Sequence, residues 1–204
     1  MDYKNVAVII PCHNEATSIS QVVAGFKNAL PNACIYVYDN CSTDNTLDIA
    51  KEAGAIIGVE NKKGKGNVVR RMFADVEADI YLLVDGDLTY DPTVAPEMID
   101  FLIDNKLDML NVSRTGGKDS YRSGHRLGNY LLTTTVKKIF GAGLEDMLSG
   151  YRIFSRRFVK TFPSRSNGFE IESELTVHSL EMKLPIGERP APYIERPEGS
   201  VSKL

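Results

Sequence analysis

Ile80-Tyr81-Leu82-Leu83-Val84-Asp85-Gly86-Asp87 decides how this chain is read. An apolar run of strand length ends on two carboxylates separated by a glycine. Carboxylates so placed at a strand end can both reach one divalent cation. Mg²⁺ or Mn²⁺ commonly takes one or two of them while phosphate oxygens and water complete its shell. The glycine lets a ligand come close. An isolated Asp-x-Asp also describes an ordinary acidic turn, so its meaning depends on what surrounds it.

Upstream of this stretch the pattern alternates. Residues 6–10 are a short apolar run, after which Ile19, Val22, Val23, Phe26 and Leu30 fall on one helical face. Residues 35–38 predict a second strand. The turn and N-cap cluster Asp39-Asn40-Cys41-Ser42-Thr43-Asp44 then leads into a helix through Leu47 and Ala50 that Gly54 closes. Residues 55–59 predict a third strand, 67–76 a third helix and 80–84 the fourth strand. This order predicts an α/β fold: a Rossmann-like, doubly wound, mostly parallel sheet with helices on both faces and ligands beyond the carboxyl ends of the strands. The loops after Ile10, Tyr38 and Val84 should therefore share one rim. At 204 residues the chain suits a single domain, 1–204.

Hydrophobic residues at 43% and charged residues at 25% argue for a soluble globular protein rather than a disordered or fibrous one. Cys12, Cys34 and Cys41 form no Cys-x-x-Cys, so they read as reduced thiols of a cytoplasmic protein. The sequence carries no signal peptide pattern and no apolar run long enough to span a bilayer. Charge is sorted along it. From Asp75 to Asp108 ten acidic residues face Lys106 alone, whereas from Arg114 to Arg165 eleven Lys or Arg face Asp119, Glu145 and Asp146. Such sorting suggests a cation site beside an anion site, or else two solvated faces. Nucleic acid is not an expected partner, because the aromatic, glycine and zinc signatures of its binding modules are missing.

Four segments in order, Val8-Ile9-Ile10-Pro11-Cys12-His13-Asn14-Glu15, Val37-Tyr38-Asp39-Asn40-Cys41-Ser42-Thr43-Asp44-Asn45-Thr46, Gly64-Lys65-Gly66 and Asp85-Gly86-Asp87, resemble the motif set of glycosyltransferase family 2. Ser113-Arg114, the run from Tyr121 to Asn129, Asp146-Met147-Leu148-Ser149-Gly150-Tyr151-Arg152 and Gly168-Phe169-Glu170-Ile171-Glu172 resemble its polyprenyl-phosphate glycosyltransferases, the group of dolichyl-phosphate mannose synthases and bacterial undecaprenyl-phosphate glucosyltransferases. The resemblance implies a GT-A fold and a UDP- or GDP-hexose donor. It also implies Mg²⁺ or Mn²⁺, a polyprenyl phosphate acceptor and work at the inner face of a membrane. Residues 1–110 would form the donor half and 111–204 the acceptor half, and a homo-oligomer is compatible with the sequence.

By resemblance the nucleotide lies against Pro11, Asn14, Glu15, Asp39 and Asn40, and the diphosphate against Lys65, Asp85 and Gly86. Asp39 is placed to accept from a base N–H, Glu15 to accept ribose hydroxyls, and Pro11 to shape the strand exit. Residues 62–66 are basic and glycine-rich before a helix, which suits a phosphate at the helix N-terminus or equally a solvated basic turn. Asp85 and Asp87 are the metal ligands, with Thr89 a possible third.

The acceptor decides what else is needed. A sugar hydroxyl must lose a proton, which makes Asp146 a candidate general base. A lipid phosphate is already anionic and needs positioning by arginines that fork onto its oxygens, for which Arg114, Arg122, Arg126 and Arg152 are candidates. The resemblance prefers Arg114 and Arg126 among them, so that the catalytic set it implies is Asp87, Asp146, Arg114 and Arg126, with Asp146 open between base, sugar-hydroxyl acceptor and arginine partner. Glu172 and Glu174 read as solvated first-turn acids that favour the helix dipole, and His178 as a helix-face residue. The stretch 185–197 is proline-rich and extended, and a membrane anchor is expected beyond 204. Alternatives are transfer to a saccharide or lipid hydroxyl and a non-catalytic nucleotide-sugar-binding module. A nucleotidyltransferase is disfavoured because residues 6–15 lack its glycine-rich basic signature.

Overall fold

The computed structural model describes residues 5–115, 123–141 and 144–194, with the side chains of 123–130 outside that description. Strands β1 (Val6–Cys12), β2 (Cys34–Asp39), β3 (Ile56–Val59) and β4 (Ile80–Leu83) alternate with helices α1 (Ile19–Ala29), α2 (Thr46–Glu52) and α3 (Lys65–Asp75). After α4 (Ala95–Asp104) come β5 (Met109–Thr115), α5 (Ser123–Phe140), β6 (Arg152–Ser155), α6 (Arg156–Thr161), α7 (Ile171–Glu181) and β7 (Ile186–Pro192). They build one seven-stranded sheet in the order β3-β2-β1-β4-β6-β5-β7.

The first four strands are parallel, as the alternation predicts. The second half differs. β6 runs antiparallel to both β4 and β5, while β7 pairs parallel with β5. Because β6 is reversed, β5 and β7 point the same way as β4. The carboxyl ends of β1, β2, β4, β5 and β7 and the amino end of β6 therefore share one rim. Two reversals leave the sheet mixed yet bring second-half residues to the edge where the first half presents Asp85–Asp87.

Period-two alternation divides the core between the faces. Val8 and Ile10 of β1 pack with Val22, Val23 and Phe26 of α1 and with Met98 and Ile99 of α4. Ala7 and Ile9 face the opposite layer, with Val69, Met72 and Phe73 of α3, Phe158 of α6 and Leu175 of α7. His178 joins this second layer edge-on to Phe158 and Phe162. β7 carries Pro190 and Pro192 at the sheet edge, where a missing N–H leaves no neighbouring strand unbonded. Among the described residues no helix is long and apolar enough to cross a membrane.

Candidate active site

The rim loops of the first half are braced by their own polar side chains. Asn14 and Cys41 hold positive φ values of 54° and 60°, a turn geometry that Asn tolerates better than most residues. The Asn14 amide donates to Ser42 Oγ at 2.8 Å, and Asn14 Oδ1 accepts from the Thr43 amide at 2.7 Å. Asn40 Nδ2 donates to the carbonyls of Glu60 and Lys62, and its Oδ1 accepts from the Gly64 amide. Both asparagines thus tie loops together. Glu15 is buried and accepts from Ser18 Oγ, whose hydroxyl also reaches the Gly86 carbonyl. Asp39 lies behind this wall. Its Oδ2 accepts from the Ser42 amide, and its buried Oδ1 has no hydrogen-bond partner.

The glycines of the stretch 64–66 make a contact across the molecule, while Lys63, Gly64 and Lys65 line the cleft. A Cβ on Gly64 (φ 127°) or Gly66 would lie 2.2 or 2.3 Å from the carbonyl oxygens of Asn167 and Ser166, so these glycines permit backbone-to-backbone contact with the loop before α7. The Gly66 amide donates to the Gly168 carbonyl, and the Asn67 amide to those of Gly64 and Asn167. Carbonyls from the second half therefore occupy the first turn of α3. Lys65 is not a solvated turn residue. Its Nζ lies 2.5 Å from Asp85 Oδ1 and 2.6 Å from Glu172 Oε1, with 9% of the side chain exposed. Burial works against its charge, but Asp85 and Glu172 outweigh burial and raise its pKa above the usual lysine value.

Asp85 is held from the other side as well, because a Cβ on Gly150 would fall 2.3 Å from its Oδ2. Asp87 is 4% exposed. Its Oδ1 accepts from Thr89 Oγ1 at 2.6 Å and from the Thr89 amide at 3.2 Å, across Leu88 at φ 63°. In this structure Thr89 orients Asp87 as a donor. Among the described residues no three His, Cys, Asp or Glu converge as a metal cage. Asp85 and Asp87 still fit a Mg²⁺-type ion that draws its remaining ligands from phosphate and water.

Across the cleft Arg114, at the end of β5, forks onto Asp146. Nε meets Oδ2 at 2.7 Å, Nη2 meets Oδ1 at 2.8 Å, and the Arg114 amide also donates to Oδ2. Of the three roles open for Asp146, the geometry displays that of arginine partner. The turn bearing Asp146 is anchored by Glu188 of β7, which accepts from the amides of Glu145 and Asp146, and by Asn111 of β5, which donates to the Asp146 carbonyl. Arg152 is another anchor rather than a cleft residue. It is wholly buried, donating to the carbonyls of Met147 and Ser149 and to Thr176 Oγ1, and burial depresses its pKa to about 10. Its expected contact with acceptor is therefore corrected to a brace between β6, the 147–149 turn and α7. Arg122 lies outside the described residues. Arg126 falls on α5, with its side chain outside that description.

Lys65, Asp85, Asp87 and Arg114 line one cleft of about 370 Å³, which Asp146 adjoins through Arg114. Glu15, Asp85, Asp87 and Glu172 supply its carboxylates, against the cations Lys63, Lys65 and Arg114. Leu148, Phe169 and Tyr193 give apolar surface, and the Arg114 guanidinium lies over the Tyr193 ring at 5.6 Å. The sequence reading missed Glu172, Phe169 and Tyr193 as cleft residues. Glu174 was also misread as merely solvated, for it accepts from the amides of Arg165 and Ser166. For Glu172 the signal was the pair Gly64 and Gly66, whose close contact with residues 166–168 draws the start of α7 against Lys65.

Comparison with known proteins shows the family and the fold. The chain is 57% identical over 124 residues to Protein RfbJ of Shigella flexneri, covering 60% of this chain and 96% of that protein. It is 33% identical over 204 residues to Glycosyltransferase AglJ of Haloferax volcanii, covering 98% of this chain but 66% of the relative, so the chain spans just under two thirds of that protein. The Dolichyl-phosphate hexose transferase of the same organism is 25% identical over 195 residues, covering 95% and 85%. In fold the chain matches glucosyl-3-phosphoglycerate synthase from Mycobacterium tuberculosis, solved in complex with Mn²⁺, UDP and phosphoglyceric acid. The TM-score is 0.78 at 20% identity, over 95% of this chain and 72% of that one. The architecture is that of the GT-A glycosyltransferases. Residues 7–162 match the family described as Glycosyl transferase family 2, and the chain belongs to that family.

Proposed function

We propose that this domain transfers a hexose from a nucleoside diphosphate hexose to a polyprenyl phosphate, with inversion at the anomeric carbon. The observation that carries the reading is that Asp85 and Asp87 line one cleft together with Arg114, whose guanidinium is forked by Asp146. A diphosphate entering a cleft lined by four carboxylates needs a counter-charge. Asp87 and Asp85 would hold Mg²⁺ or Mn²⁺, which would supply that counter-charge to the leaving group. On the nucleotide side Asp39 lies just behind the cleft wall with an unfilled Oδ1, which supports a role as acceptor for a base N–H once the nucleotide parts that wall. Pro11, Glu15, Asn40 and Gly86 shape the surrounding wall, and Asn14 ties the loops behind it.

In the reaction an oxygen of the acceptor phosphate bonds to the anomeric carbon. The bond from that carbon to the β-phosphate oxygen breaks, and its electron pair leaves with the nucleoside diphosphate. No proton has to be removed from such a nucleophile. A carboxylate already accepting three donors from Arg114 suits positioning better than base catalysis, and this favours a phosphate over a hydroxyl acceptor. The relative named for dolichyl-phosphate hexose transfer supports the same acceptor class. Residues 1–110 form the half that holds the nucleotide and diphosphate and 111–204 the half that receives the acceptor, and the enzyme works at the cytoplasmic face of a membrane.

The test is a panel of UDP- and GDP-hexoses with Mn²⁺, read by mass detection of the lipid product. One donor should turn over only when polyprenyl phosphate is present. Binding without turnover for every donor would instead favour a nucleotide-sugar-binding module.

A further inference from the structure

Glu172 is the one carboxylate of the cleft to which no role has been given. It stands in the first turn of α7 and is 5% exposed. Its two oxygens have unlike surroundings. Oε1 receives the Lys65 ammonium at 2.6 Å, whereas Oε2 is buried with no hydrogen-bond partner. A buried acceptor left unfilled is costly, and the molecule retains one on the wall of a ligand-sized cleft.

The vacant oxygen narrows the chemistry of what fills it. It is an acceptor beside a lysine already shared between two carboxylates, so it repels phosphate or carboxylate and takes an O–H or N–H donor. Its location narrows the identity further. Asp85 Oδ1 and Glu172 Oε1 bind the same ammonium, which sets Glu172 next to the diphosphate position on the wall of the same cleft. The group that follows the diphosphate in such a donor would have this wall within reach. Phe169 and Leu148 line the same cleft and offer apolar surface to the C–H face of a pyranose ring.

We propose that Glu172 is a specificity-determining contact for the donor sugar: Oε2 accepts one hydroxyl of a neutral hexose, while Oε1 fixes the carboxylate through Lys65. This inference rests on the nucleoside diphosphate hexose reading above. Glu172→Gln keeps the shape, and an amide that keeps its oxygen on Lys65 turns a donor, not an acceptor, toward the sugar.

The experiment is titration calorimetry of the intact chain with Mn²⁺ and UDP, GDP, UDP-glucose and GDP-mannose, for wild type and Glu172→Gln. Sugar-dependent affinity should fall by about tenfold or more in the variant, with the matching nucleoside diphosphate changing by less than about twofold. Equal loss for nucleotide and nucleotide sugar, or no loss for either, overturns the proposal. A second arm needs no variant. Among monodeoxy analogues of the donor that binds, one should lose about tenfold with wild type, and full retention by all of them overturns the proposal. A wild type that binds the nucleotides but gains nothing from the sugar refutes this inference alone. A wild type that binds none of the four refutes the donor reading as well.

Discussion

On the side of the cleft built from β1, β2 and β4, loops are tied mainly by neutral side chains to backbone groups: Asn14 to Thr43, Asn40 to Glu60, Lys62 and Gly64, and Ser18 to Gly86. On the side built from β5, β6, β7 and α7, charged groups hold the site: Arg114 on Asp146, Lys65 on Glu172, Glu188 beneath the 145–146 amides and Arg152 among carbonyls. A neutral hydrogen bond contributes about 0.5–1.5 kcal/mol, whereas removing one partner of a buried ion pair costs about 3–5 kcal/mol. The first side should therefore lose function without losing structure. On the second side the two should fall together.

The largest expected effect tests the first half of that contrast. In Asp87→Asn the amide oxygen can still accept from Thr89, so thermal melting should stay close to wild type. Transfer should drop by roughly 10²–10³-fold, the scale of a lost transition-state charge contact. Unchanged turnover would remove Asp87 from the site. Arg114→Ala comes next and should break the contrast's other half. It strands Asp146, so melting should fall visibly, and acceptor kcat/KM should drop by roughly 10- to 100-fold if the lost phosphate contact contributes about 1.5–3 kcal/mol. Donor affinity should move little. Arg114→Lys should rescue only part, since an ammonium lacks the two-pronged geometry, and equal loss for donor and acceptor would assign Arg114 to the diphosphate.

Gly66→Ala probes the seam between the two sides. Its Cβ would press on the Ser166 carbonyl, and forced overpacking costs about 1–3 kcal/mol, measurable by urea unfolding. Nucleotide-sugar affinity should fall with it, because the same contact sets Lys65 beside Glu172. The smallest effect is a pH dependence. Burial alone would raise the Glu174 pKa, but hydrogen bonds from Ser166 and Arg165 override it and hold the pKa below the usual glutamate value. The folded carboxyl releases its proton more readily than the unfolded one. Its stabilisation is therefore present above the unfolded pKa and is lost as pH falls through the depressed folded value. Unfolding titrations on the acid side should show this as a gentle slope that Glu174→Gln removes.

The same contrast governs what could be read from sequence. The first four strands, their order of helices and the shared rim were legible because parallel α/β units carry local signals: an apolar run, a turn cluster, a helical face. Short motifs likewise exposed Asp85 and Asp87. The reversal of β6 was not legible, since antiparallel insertion depends on pairings such as Leu82 with Ile153 that no local pattern announces. Arg152 and Glu172 were misread for a related reason. Arg152 reads from sequence as an acceptor contact and Glu172 as a solvated charge, whereas both are enclosed by contacts distant in sequence, with Thr176 and Met109 around the first and Lys65 beside the second.

The central claim is transfer to a phosphate oxygen, and its most direct test compares two acceptors that differ only in that group. With the donor found in the panel and Mn²⁺ present, polyprenyl phosphate and the corresponding polyprenol would be offered at equal concentration, and hexosylated lipid would be quantified by mass. The account predicts product from the phosphate and none above background from the alcohol. Product from the alcohol, with activity that vanishes in Asp146→Asn, would contradict it and make Asp146 the base of a hydroxyl-directed transferase.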